Sequence, residues 1–215
     1  MKKFTITSNH YLQNDTPGFY NCDYTGYQKH GNPDFINRLK NMSNQYNELD
    51  LVMDFIQVFE TAYRDIKSII SDTKLSDCAI AVIPRSKAEQ HYKQSQLLFR
   101  KAISCVADKL NCQNATDALK RVKDTKTTHS WRMEHNLGPL PYKGITKDTC
   151  DIDKSKIKDK NIVLVDDIYT KNVYVAEDCI QTLLDCGAKS VILHKVVVFI
   201  YVVTVVEHKR LYLRP

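Results

Sequence analysis

Two adjacent carboxylates at the end of an apolar run are the residues most suited to chemistry: Asp166 and Asp167, within Val163-Leu-Val-Asp-Asp-Ile-Tyr-Thr-Lys-Asn172. Ile162 to Val165 reads as a buried parallel strand, because it is continuously apolar and short. A polar turn follows, Thr170-Lys171-Asn172, and then Val173 to Cys186 reads as a helix. Its apolar face is Val175, Cys179, Ile180, Leu183 and Leu184. Carboxylates at the C-terminal end of a strand can accept hydrogen bonds from vicinal ribose hydroxyls. Backbone N–H groups of the turn and of the helix N-terminus can hold a phosphate. An acidic pair after a strand can equally be a solvated cap, so the motif is one hypothesis of two.

Elsewhere the chain offers a second basic turn. Cys78 to Ile83 reads as a buried strand that Pro84 ends, and Arg85, Ser86 and Lys87 follow. A guanidinium can fork onto phosphate oxygens, and a lysine supplies a point charge. The helix Ala88 to Leu110 comes next. Residues 112 to 144 are polar and basic with weak periodicity, as in a functional lid. Gly144 to Ile152 reads as a short strand. Lys154 to Lys160, with four Lys, reads as a solvated turn. Ser190 to Val198 is a further strand, and Gly187 caps the helix before it.

The chain resembles type I phosphoribosyltransferases. Residues 162 to 174 are similar to that family's phosphoribosyl pyrophosphate signature of four apolar residues, two acids, two mostly apolar residues and Thr-Thr-Gly-x-Thr. The acids and Thr170 match; Lys171, Asn172 and Tyr174 stand where Thr, Gly and Thr are usual. Ala79-Ile-Ala-Val-Ile-Pro-Arg-Ser-Lys87 with Tyr92-Lys-Gln-Ser-Gln-Leu-Leu-Phe99 is similar to the competence-type (ComF-like) subgroup. So is Leu119-Lys-Arg-Val-Lys-Asp-Thr125 with Asn136-Leu137, His129 standing where Gln is usual. The resemblance spans roughly residues 76 to 198.

The resemblance implies an α/β fold, a mainly parallel twisted sheet flanked by helices, with an N-terminal helical and irregular appendage. It places residues 76-215 in the core, and residues 1-75 on the side that would face the acceptor. It implies a Mg²⁺-dependent glycosyltransferase that binds phosphoribosyl pyrophosphate and passes the phosphoribosyl group to a nitrogen nucleophile such as a nucleobase. Asp166 and Asp167 would hold the ribose hydroxyls, directly or through metal-bound water. Arg85, Ser86 and Lys87 would be the pyrophosphate loop. Thr170, Lys171, Asn172, Val173 and Tyr174 would cradle the 5′-phosphate. Tyr174 puts a ring where a short hydroxyl is usual. Lys126, with Arg121 and Lys123, would sit on a lid that brings cations to the pyrophosphate. His129 has a side chain suited to a general base but is not assigned that role. Two alternatives stay open: a non-catalytic ribose-phosphate or nucleotide binder on the same fold, and a DNA-uptake-associated protein using the basic lid, the less favoured of the two.

At 215 residues and 43% apolar, the chain suits one domain with a real core. A formal charge of +6 suits anionic ligands without choosing among them. Seven Cys, none in a C-x-x-C pair, read as small core residues in a reducing compartment, and a cytoplasmic location is expected. The N-terminus has no apolar stretch of secretory length. Val196 to Val206 is shorter than the about 20 residues of a spanning helix, and its Val content favours strand. Asp34 to Ile70 reads as two helices broken near Asn47, with Leu51, Phe55, Val58, Phe59, Ala62 and Ile66 at core spacing. Tyr11, Tyr20, Tyr24 and Tyr27 are expected to pack the N-terminal segment onto the body, base stacking being the other use of such rings. Oligomeric state is open, a homodimer included.

Overall fold

The computed structural model describes residues 1–127, 136–170 and 173–199. In chain order the regular elements are β1 (Lys2–Ile6), β2 (Thr16–Asp23), α1 (Phe35–Lys40), α2 (Glu48–Thr73), β3 (Cys78–Val82), α3 (Leu98–Lys109), β4 (Gln113–Ala115), β5 (Leu119–Arg121), α4 (Ile145–Thr149), β6 (Cys150–Ile152), β7 (Asn161–Thr170), α5 (Val175–Asp185) and β8 (Ser190–Phe199).

One six-stranded sheet runs β1-β2-β8-β7-β3-β4, and β5 pairs with β6 in a small antiparallel ribbon. From β2 to β4 every neighbouring pair is parallel; β1 alone runs antiparallel, against β2. Helices cover both faces, which is why β3 and β7 read as unbroken apolar runs. On one face α1, α2 and α3 bury Leu39, Val58, Ile66, Ile103 and Val106 against Ile80, Val82, Val163 and Val165. On the other, α5 buries Cys179, Ile180 and Leu183 against Ala79, Ala81, Ile162, Leu164 and Leu193. The fold is thus mixed α/β with a mostly parallel central sheet between helices.

The first 75 residues belong to this sheet and this core. Gly18 of β2 lies opposite Leu193 of β8, and the Phe4 ring of β1 lies over Gly18 so closely that a Cβ there would be 2.4 Å from it. Three of the four tyrosines are at least partly buried, Tyr11 stacking on Tyr174, Tyr20 meeting Phe4 edge-on and the Tyr24 hydroxyl bonding Asn37, whereas Tyr27 is 43% exposed and bonds Tyr46 at the surface.

Three local expectations need correction. The helix expected over Ala88 to Leu110 starts only at Leu98; residues 89–91 and 94–96 form single 3₁₀ turns. That stretch lacks an apolar stripe. Gly144 to Ile152 holds a strand only at its end, after α4, whose first turn is capped from a distance: buried Asp178 of α5 accepts the N–H groups of Gly144 and Thr146. And β7 does not stop at Val165 but runs through the acidic pair to Thr170, because β8 keeps pairing alongside it to Phe199. The tail beyond residue 199 lies outside the described residues. Among the described residues no helix is long and apolar enough to cross a membrane.

Candidate functional site

The strand order locates the site. From β3 the chain crosses through α3 to β4 on one side; later it returns as β7 on the other side of β3 and continues to β8. Connections leaving in opposite directions open a crevice beyond the C-terminal ends of the two central strands, the usual ligand position in open α/β sheets. A cleft of about 180 Å³ lies there. Its walls include Pro84, Arg85 and Ser86 after β3, Asp166 and Asp167 on β7, Val173 before α5, and Lys126 from the loop after β5. Residues more than 80 positions apart in sequence are thereby brought to one place.

The two carboxylates differ in surroundings. Successive side chains on a strand point to opposite faces. Asp166 pairs with Lys195, its register partner on β8, whose side chain is only 1% exposed. Asp167 pairs with Lys40, the last residue of α1, at 2.6 Å. Burial pushes the Asp166 carboxyl up from its ordinary value, and the neighbouring Asp167 charge adds to that against the pull of Lys195. At Asp167 burial acts in the same direction, but the Lys40 ammonium outweighs it and the carboxyl is lowered. Each acid also accepts the next backbone N–H: Asp166 from Asp167 at 2.9 Å, Asp167 from Ile168 at 2.5 Å.

Lys40 is held in place from behind. Arg38 of α1 forks onto buried Asp54 of α2 at 3.0 and 2.6 Å, fixing the short helix to the long one. Arg85 secures the C-terminal end of α1. Its guanidinium donates to the carbonyls of Lys40 (3.1 Å) and Gln96, contacts the Met42 sulfur and stacks over the Tyr92 ring at 4.3 Å. Cations at a helix C-terminus are favoured there.

The loop after β3 is bound to the loop after β5. Thr125 donates its N–H and hydroxyl to the Ser86 carbonyl at 2.7 and 2.9 Å, and the Ser86 hydroxyl meets that of Thr127 at 2.7 Å. The Lys87 ammonium donates to the carbonyls of Thr125 and Leu137 at 3.1 and 2.7 Å, and Lys87 is not among the cleft's walls. Arg121, 4% exposed, supports the loop from beneath, donating to the Arg85 carbonyl at 2.9 Å and to Thr149. Lys126, exposed, lines the cleft and makes no ion pair with a described residue.

On the far side, Tyr174 sits in the left-handed region (φ 59°) just before α5, and its ring stacks on Tyr11 at 4.8 Å and 10°. Lys171, Asn172 and His129 lie outside the described residues, as does the Thr170 side chain. Lys40 and Lys195 do not stand out as site residues from the sequence patterns above. Lys195 has a visible signal, a lysine inside the apolar run Val191–Val198; Lys40 has none.

Among the described residues no three His, Cys, Asp or Glu side chains are grouped to hold a metal. Two carboxylates already neutralised by lysines do not make a resident Mg²⁺ site, since Mg²⁺ needs several hard oxygen ligands around it. A Mg²⁺ ion would fit here only as part of a substrate that brings its own phosphate oxygens. No protein-family model and no curated protein matches this chain, so its function is read from the geometry of this cleft.

Proposed function

We propose that the chain is a type I phosphoribosyltransferase-like protein that binds the Mg²⁺ complex of phosphoribosyl pyrophosphate and transfers the phosphoribosyl group to a nitrogen nucleophile such as a nucleobase. One observation carries this reading: the acid pair on β7 and the basic loop after β3 share one cleft at the strand-order reversal. Asp167 and Asp166 are the acceptors for the ribose 2′- and 3′-hydroxyls. Lys126 and the backbone of the Arg85–Ser86 turn face the diphosphate. In the reaction the acceptor nitrogen forms a bond to C1 as the C1–O bond breaks. The diphosphate leaves with the electron pair, and the nitrogen's proton passes to solvent. Cations near the leaving group favour that charge as it develops.

A second reading has a specific observation behind it. Both carboxylates are occupied by lysines, and the cleft is smaller than the about 300–1,000 Å³ of most ligand sites. A protein that binds a ribose phosphate without turning it over would keep this arrangement. Titration calorimetry with phosphoribosyl pyrophosphate, with and without Mg²⁺, tests both. Mg²⁺-dependent heat that is lost in Asp167→Asn is the expected result, and diphosphate release in the presence of nitrogen bases then separates transferase from binder. Absence of heat at millimolar ligand sinks both readings.

A further inference from the structure

Two of the seven cysteines stand side by side. β3 and β4 are parallel neighbours, with Ala79 opposite Gln113, Ile80 opposite Asn114 and Ala81 opposite Ala115. One step back along both strands sets Cys78 opposite Cys112. Neighbouring strands lie about 4.8 Å apart, inside the roughly 4.4–6.8 Å between the Cα atoms that a disulfide joins. Register partners on parallel strands point to the same face. Cys78 shares the face of Ile80 and Val82, and both cysteines pack against the cluster that those residues form with α3. The Cys78 thiol donates to the Cys112 sulfur, which holds the Cys112 thiol below its ordinary value against the effect of burial and pushes Cys78 up. Both residues are half-buried, so neither is closed off from solvent. The other two strand cysteines, Cys22 and Cys150, lie opposite Val197 and Arg121. A lowered thiol beside a second thiol is the arrangement of a reactive dithiol.

We propose that Cys78 and Cys112 form a thiol modification site, at which a small disulfide such as oxidised glutathione closes a reversible intramolecular disulfide. Cys112, as the thiolate, attacks one sulfur of the glutathione disulfide. A bond forms between those two sulfurs, the glutathione S–S bond breaks, and one glutathione thiolate leaves with the electron pair. Cys78 then loses its proton to solvent and attacks the Cys112 sulfur, releasing the second glutathione thiolate. Two protein thiols are oxidised, one small disulfide is reduced to two thiols, and the protons that the cysteines lose end on those thiols. The site lies at the N-terminal ends of the strands, opposite the cleft, and does not depend on what the cleft binds. The bond closes residues 78 to 112 into a loop that contains the Arg85–Ser86 turn and α3. It also fastens β4, a three-residue edge strand, to its neighbour.

The full chain, first reduced and then incubated while folded with millimolar oxidised glutathione at neutral pH, tests it. The intact mass should fall by two hydrogens, the proteolytic peptides holding Cys78 and Cys112 should be linked, and dithiothreitol should reverse both changes. Cys78→Ser removes the second nucleophile but keeps a hydroxyl that can donate to Cys112, so the reaction should stop with one glutathione on Cys112. Cys112→Ser should form no intramolecular disulfide and should take up glutathione at Cys78 at least about tenfold more slowly. The wild-type peptide map decides the matter even where a variant fails to fold. A chain that stays reduced, a link through any other cysteine, or a link that forms only after urea has unfolded the chain overturns the proposal. Glutathione trapped on Cys78 as readily as on Cys112 overturns the order of attack.

Discussion

Asp166 and Asp167 are chemically identical neighbours, each within reach of one lysine, yet they are different functional groups. Asp166 meets a lysine from the adjacent strand, fixed by sheet register and shut away from water. Asp167 meets a lysine at the end of a six-residue helix, and the Lys40 side chain is a fifth exposed. Strand geometry alone causes the divergence, since it turns consecutive side chains to opposite faces. The first pair is built into the sheet. The second joins a helix end to the sheet at the cleft wall, with both side chains about a fifth exposed. Displacing Lys40 from Asp167 frees a partly exposed ammonium, whereas displacing Lys195 from Asp166 leaves a buried charge unpaired.

The largest effect that would break this contrast is at Lys195. Lys195→Met leaves the Asp166 carboxylate without its partner and should cost about 3–5 kcal/mol in urea unfolding, as for other buried pairs broken on one side. Adding Asp166→Leu should recover most of that loss. A Lys195→Met protein of unchanged stability would mean that this pair too is dispensable. Lys40→Gln should cost only about 1 kcal/mol, the scale of a partly exposed pair. It should also alter affinity for a ribose phosphate, measured by calorimetry, far more than it alters the unfolding midpoint. An affinity identical to wild type would show that Lys40 does not guard Asp167.

The smallest effect concerns pH. Asp167 is lowered in the folded state, so its contribution is present above the unfolded carboxylate value of about 3.9 and is lost as pH falls below it. Asp166 is raised, so its protonated form favours the fold, and that contribution fades as pH climbs above about 3.9. Unfolding midpoints between acid and neutral pH should therefore diverge. Asp167→Asn should flatten the loss on the acid side, and Asp166→Asn the loss on the rising side. Equal slopes for the two variants would refute the asymmetry.

Much of this architecture is legible in the amino-acid sequence. The apolar runs of β3, β7 and β8 and the core spacing of α2 announce themselves, because burial on both faces or on one stripe leaves a pattern in the chain. The acid pair stands out for the same reason: charge interrupting an apolar run. What the sequence hides depends on partners distant along the chain. β7 continues past Asp167 because β8 lies beside it. The five-residue α4 exists because Asp178, more than 30 residues on, caps it. Arg85 has the residue type of a phosphate ligand, but its guanidinium is taken up by the Lys40 and Gln96 carbonyls, and no local pattern shows that.

The sheet order also sets a timetable. The parallel partner of β2 is β8, so Gly18 must wait for Leu193 before its side of the sheet can close. Contacts this distant in sequence slow folding, since chain entropy is lost before the contact repays it. During synthesis the β1–β2 hairpin precedes β8 and stays an open edge until β8 has followed. During that interval the same edge is available to any other unpaired strand, which exposes β1 and β2 to mispairing.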